Sequence, residues 1–175
     1  MSEGRKTIKK VKAGKIPHNF TEVDNIKFHS KMESKYYQYL MKLKNEKIIT
    51  ERGILVDIEL QPEFLLQEKF IIINGRAVFA SNPDFEKLKR KHNCKTIRAI
   101  KYKSDFKEIY DTGEVRLVDT KGASTTDFEI KRKMFMAKYP DLPLHVITES
   151  KGQWVDYYEC DKQKKMKKKL KKENK

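Results

Sequence analysis

The sequence predicts an α/β fold, a mixed sheet flanked by helices, and three observations carry that prediction. Met32, Tyr36, Tyr39/Leu40 and Leu43 recur at helical spacing. Residues 100–110 and 115–121 read as two strands closing on Asp111-Thr112-Gly113, a hairpin turn with Gly where a positive φ is needed. A further helical stretch, 126–138, leads into a last apolar run, 144–148.

The elements follow in order. Residues 1–26 carry Gly4, Gly14 and Pro17 among many lysines, and are expected to be a flexible basic arm. The first helix starts at Ser30. Residues 54–60 read as a strand after Gly53, with Pro62 forcing an edge or a bend before 64–66 resumes it. Residues 70–73 form a short apolar strand ending at Asn74-Gly75. Residues 76–96 look like an insertion, in which Pro83-Asp84 leads into a small basic helix at 85–90. The hairpin follows, then Gly122 and a Ser/Thr run that caps the second helix. Pro140 and Pro143 bracket a turn before the last strand, and Trp154, Tyr157 and Tyr158 are expected to cover the end of a body spanning 27–160. Residues 161–175 are a lysine-rich tail.

With 175 residues, 38% hydrophobic and 37% charged, the chain is one domain with extensions. Its net charge of +15 is uneven: residues 1–16 carry +5 and residues 161–175 carry +7, leaving +3 for the middle. Basic arms on an ordinary body suit a polyanion, because neutralised phosphates release counterions; a solubilising tail or one touching anionic lipid is the alternative. Cys94 and Cys160 fall in no paired motif and suggest reduced thiols. No apolar run approaches the roughly 20 residues of a membrane span. The expectation is a soluble, intracellular protein with no membrane partner. His18, His29, His92 and His145 are too scattered for a zinc site, and no phosphate-cradling glycine loop is present.

Folding the hairpin about its turn sets Asp105 beside Asp119 and Thr120, while Lys121 leaves the same strand face as Asp119. An acid two residues before a lysine occurs six times, starting at Glu33, Asp105, Asp119, Glu129, Glu149 and Glu173, so the pattern alone is cheap. Pro83-Asp84, with Asp105-Phe106-Lys107 downstream, is a rival that lacks a preceding strand. Only the Asp105, Asp119 and Lys121 set has a geometric reason to converge. Two carboxylates and the Thr120 carbonyl suit Mg²⁺ or Mn²⁺, and Lys121 would orient a water or steady charge on a phosphate. A cross-strand salt bridge on a sheet face is the alternative, worth about 0–1 kcal/mol. Glu33 is a further candidate ligand, set against a capping box with Ser30. Lys131 sits inside an apolar stripe and either snorkels outward or points at a bound phosphate. Arg132, Lys133 and the tail residues Lys164, Lys165, Lys167, Lys168 and Lys169 are candidate DNA contacts.

Phe28-His29-Ser30-Lys31-Met32-Glu33, Leu60-Gln61-Pro62, Ser104-Asp105-Phe106, Val118-Asp119-Thr120-Lys121-Gly122, Lys131-Arg132-Lys133 and Tyr139-Pro140 together resemble a small phage and prophage protein family. That family is placed in the PD-(D/E)xK, restriction-endonuclease-like nuclease superfamily, related to phage Holliday-junction endonucleases and TnsA-type nucleases. The resemblance spans about residues 28–148 and implies a core order αβββαβ. It implies metal-dependent DNA endonuclease activity, with Asp105 and Asp119 as metal ligands, Lys121 as the catalytic lysine and Glu33 as the helix-borne acid. It further implies a duplex or branched DNA substrate in phage recombination or replication, within the cytoplasm of a bacterial host. Ser104 stands where the superfamily name has proline, and Asp119 where Glu is commoner. A homodimer is one arrangement that cuts two strands symmetrically. The rival readings are a non-catalytic basic nucleic-acid-binding protein and a nuclease-like subunit of a larger DNA-processing complex.

Overall fold

The computed structural model describes residues 21–173. Strands β1 (Thr21–Val23) and β2 (Ile26–Phe28) form a small hairpin turning at Asp24-Asn25, both at positive φ. Residues 21–26, expected in a flexible arm, are paired backbone instead; residues 1–20 of that arm lie outside the described residues.

Helix α1 (Lys31–Asn45) begins where Ser30 Oγ accepts the Glu33 N–H at 3.1 Å. It buries Glu33, Tyr36, Tyr37, Leu40 and Leu43, one face of a 3.6-residue period. β3 (Ile49–Thr50) and β4 (Gly53–Leu60) follow, then β5 (Glu63–Gln67), β6 (Phe70–Ile73), β7 (Arg76–Phe79) and α2 (Phe85–Lys91). β8 (Ile100–Lys103), β9 (Phe106–Tyr110), β10 (Val115–Thr120), α3 (Thr126–Lys138), β11 (Leu144–Ser150), β12 (Gln153–Asp156) and α4 (Tyr157–Glu173) complete the chain.

The fold is mixed α/β. Its six-stranded sheet has the order β12-β11-β10-β9-β4-β3, with β10 and β11 parallel and the remaining neighbours antiparallel. The expected order of helix, three strands, helix, strand is α1, β4, β9, β10, α3 and β11. Period-2 alternation sends Phe106, Tyr110 and Val118 into one core with Tyr36, Leu40 and Leu55 from the α1 side. Leu117 and Val146 point the other way, into a second core with Tyr102, Phe128 and Phe135.

The stretch 100–110, expected as one strand, is two. It breaks at Ser104-Asp105, where buried Ser104 Oγ donates to the carbonyls of Val118 (2.9 Å) and Phe106 (3.2 Å). Backbone pairing nevertheless runs through the bend: Gln61 N–H donates to Asp105 C=O at 2.9 Å and Ser104 N–H to Pro62 C=O at 3.2 Å. β4–β5 and β8–β9 are therefore one long bent ribbon, kinked at Asp105. β3 and β12 were not legible as strands, and the lysine tail is helical up to Glu173.

Candidate active site

The kink turns Asp105 toward the end of β10. Thr120 donates both its backbone N–H (2.7 Å) and its hydroxyl (2.9 Å) to Asp105 Oδ2. A strand residue's N–H and C=O point to the same side, so the Thr120 carbonyl also faces Asp105. One position earlier, Asp119 is 1% exposed; its Oδ2 accepts the Tyr102 hydroxyl at 2.6 Å, and its Oδ1 meets the Lys121 ammonium. The Lys121 ammonium is thus the counter-charge set against the buried Asp119 carboxylate. Lys121 in turn lies over the Phe128 ring, 4.6 Å from its centroid. The hairpin register read from sequence is thus the one observed.

The electrostatics follow from this packing. Burial and the Asp119 charge push the Asp105 carboxyl up to about 7, against the opposing pull of Lys121 and the Thr120 N–H. Burial alone would lower the Lys121 ammonium, but Asp119, Asp105 and Glu33 outweigh it and hold its pKa above the usual lysine range.

Glu33 stands at the edge of the cluster. Its Oε2 accepts the His29 N–H at 3.2 Å, so it caps its own helix start, one residue from the box expected with Ser30. It also shares with Asp105, Gln61 and Phe28 a cavity of about 110 Å³. Its charge acts on both Asp105 and Lys121. Among the described residues no group of three or more His, Cys, Asp or Glu side chains is already gathered as a metal cluster, and Glu33 stands as a neighbour of the aspartates.

The remaining candidates lie elsewhere. Lys131 pairs with Asp127 at 3.0 Å along its own helix and is not brought to the aspartates. Arg132 bonds Glu129 at 3.2 Å and stacks on Tyr158, whose hydroxyl donates to the same carboxylate at 2.8 Å; it clamps α3 to α4. Lys133 is exposed, as are Lys164, Lys165, Lys167, Lys168 and Lys169 along α4, where Lys165 pairs with Asp161 at 2.6 Å.

Tyr102 is the site residue that the sequence reading missed. It faces Asp119 because β8 leads into the kink on the α3 side, and that kink was invisible in the pattern. A second buried network was also missed. Glu108 accepts Tyr36 OH (2.5 Å), Tyr110 OH (2.8 Å) and Arg116 Nη1 (3.2 Å) on the α1 face of the sheet. Its signal was available: Arg116 lies directly opposite Glu108 across the hairpin.

Residues 9–154 match the family described as Protein of unknown function (DUF1064). The chain belongs to that family. Neither the curated proteins nor the solved structures yield a match. The family match therefore encloses every residue of the Asp105, Asp119 and Lys121 cluster and leaves all of α4 outside it.

Proposed function

We propose that this member of the family is a Mg²⁺- or Mn²⁺-dependent DNA endonuclease, with the restriction-endonuclease-like core order αβββαβ at its centre. One observation carries the reading. Buried Asp119 at the end of β10 and half-buried Asp105 at the neighbouring kink meet at the end of the sheet, with a lysine ammonium on Asp119, in a chain of net charge +15. An exposed cross-strand pair would not need Tyr102 and Thr120 to hold its carboxylates in place.

The donor set suits a hard divalent cation. Mg²⁺ is commonly held by one or two carboxylates, with waters and substrate phosphate filling the octahedron. Asp105, Asp119 and the Thr120 carbonyl supply oxygens only, and Asp119 Oδ1 is buried against the Lys121 ammonium. When bound, the metal would polarise a phosphate oxygen and lower the pKa of a water. The chain's own residues do the rest. Thr120 fixes the rotamer of Asp105 and Tyr102 that of Asp119. With cation and phosphate bound, Lys121 would leave Asp119 to hold the attacking water or the charge growing on the phosphate. The Phe128 ring keeps its ammonium at that spot.

DNA is the partner, through the lysines of α4 and Lys133, and a branched or junction-like duplex in phage recombination or replication is the first substrate to try. The work would be done in the cytoplasm of a bacterial host, with a homodimer one way to cut both strands. Among the described residues no helix is long and apolar enough to cross a membrane. The exposed lysine face of α4 also supports a second reading, a basic DNA-binding protein without catalysis or a subunit of a larger machine.

The test is cleavage of supercoiled plasmid and of a four-way junction, with and without Mn²⁺, by wild type and Asp119→Ala. Metal-dependent cutting is expected for wild type alone, with DNA binding retained by both. Cutting by the variant at the wild-type rate refutes the assignment.

A further inference from the structure

The segment read as an insertion is a folded module with a place of its own. β6 and β7 form a hairpin of their own, turning at Asn74-Gly75, and α2 follows. Ile71 (0% exposed) and Phe85 (4%) are its buried residues. The bridge Phe70–Ile97 hangs it on the end of the β5–β8 ribbon, which leads straight back to the kink at Asp105. The ribbon is pinned to α3: Phe64 packs edge-on against Phe135 at 5.0 Å, and the Tyr139 hydroxyl donates to Leu65 C=O at 2.9 Å. At about 3.3 Å per residue, the bridge lies roughly 25 Å from Asp105, less than one turn of B-form DNA at about 34 Å.

The module's charge has one sign. Residues 69–98 hold eight Lys and Arg against Asp84 and Glu86. Since residues 17–160 together carry +3, the remainder of that body is net negative. Glu86 faces Lys69 at 3.9 Å, whereas Arg76, Lys87, Arg90, Lys91, Lys95 and Arg98 are exposed and, among the described residues, in no ion pair. A surface kept soluble by charge mixes both signs; a single-sign field steers a polyanion.

We infer that residues 69–98 form a rigid arm that grips the phosphate backbone of duplex DNA about one helical turn from the candidate active site. The inference deepens the nuclease reading and rests on it for the identity of the polyanion. Phosphates seated at the Asp105 kink and against the arm belong to one continuous duplex, and the α3 contacts hold the two apart at a set distance. The arm gives affinity and register, with no sequence information of its own.

The full-length protein is titrated without metal into a fluorescent duplex about three helical turns long, over a series of salt concentrations. Lys87→Gln/Arg90→Gln/Lys91→Gln is compared with wild type and with Lys87→Arg/Arg90→Lys/Lys91→Arg. Losing three phosphate contacts should make the slope of log affinity against log salt shallower by about 3, with affinity lower on the order of tenfold or more at low salt. The charge-keeping variant should match wild type, and both should melt as wild type does, because the three side chains point outward. An unchanged slope in the Gln variant overturns the inference, as does failure of the wild type to bind duplex. So does a changed sedimentation coefficient with unchanged DNA affinity, which would make exposed Ile72 and Phe79 part of a protein contact. Absence of cleavage by a wild type that binds DNA with the expected salt slopes would sink the nuclease reading and leave the arm standing.

Discussion

Asp105 holds its proton far more tightly in the folded protein than an ordinary aspartate, with burial and Asp119 pushing it up to about 7. Its contribution to stability is fully present below the unfolded value of about 3.9 and is lost as pH rises through about 7. Without metal, the melting temperature should therefore fall between pH 5 and 8 through this group, and Asp105→Asn should flatten that fall in calorimetry. A divalent cation competes with the proton, so Mn²⁺ should raise the melting temperature more at pH 8 than at pH 5. Equal Mn²⁺ stabilisation at both pH values would count against Asp105 as a ligand. At this scale the sequence was informative where strand geometry decides. The turn at Asp111-Thr112-Gly113 sets the register, and the register brings Asp105 to Thr120. It was silent on Tyr102, whose approach to Asp119 depends on a kink sealed by the Ser104 hydroxyl. It also left Lys131 open between snorkelling and a phosphate, and the choice fell to an i,i+4 partner, Asp127.

Two elements lend themselves to measurement. The start of α1 depends on Ser30, and Ser30→Ala should cost about 1 kcal/mol in denaturant melts. Glu108 on β9 faces α1, fully buried; its bonds to Tyr36 and Tyr110 are inside the core, and that to Arg116 is part-buried. Glu108→Ala leaves Arg116 buried without its counter-charge and should destabilise by about 3–5 kcal/mol. A loss below about 1 kcal/mol would mean that water reaches Arg116. The helices and the central strands were legible because their apolar periods are long. β12 holds only Trp154 and Val155 as apolar residues, too few for a pattern, and it forms because Trp154 packs on Tyr36 at 4.7 Å. Beyond Tyr157 and Tyr158, α4 has no core face to betray it. Lysine is a good helix former, and Asp156 Oδ1 accepts the Glu159 N–H at 2.9 Å to start the helix.

Across the whole molecule, composition pointed to basic arms and an ordinary body, but +3 for residues 17–160 is a sum of opposites. A positive module at 69–98 stands on a net negative core, and only the fold reveals that they are separate surfaces. Under the proposed function the tail is the more conventional surface for DNA. Deleting residues 161–175 should weaken duplex binding and flatten its salt dependence by up to about 8 in the log–log slope, with the cleavage step preserved at saturating DNA. A tail deletion that abolishes cutting even at saturation would place α4 in the chemistry. The claim on which the account turns is that Asp105 and Asp119 share one divalent cation. Electron paramagnetic resonance of added Mn²⁺ reads it directly, in wild type and in Asp119→Asn at pH 8. The account predicts one tightly held Mn²⁺ per wild-type chain, displaced by Mg²⁺ and missing from the variant. Equal Mn²⁺ binding by both proteins, or by neither, would contradict it.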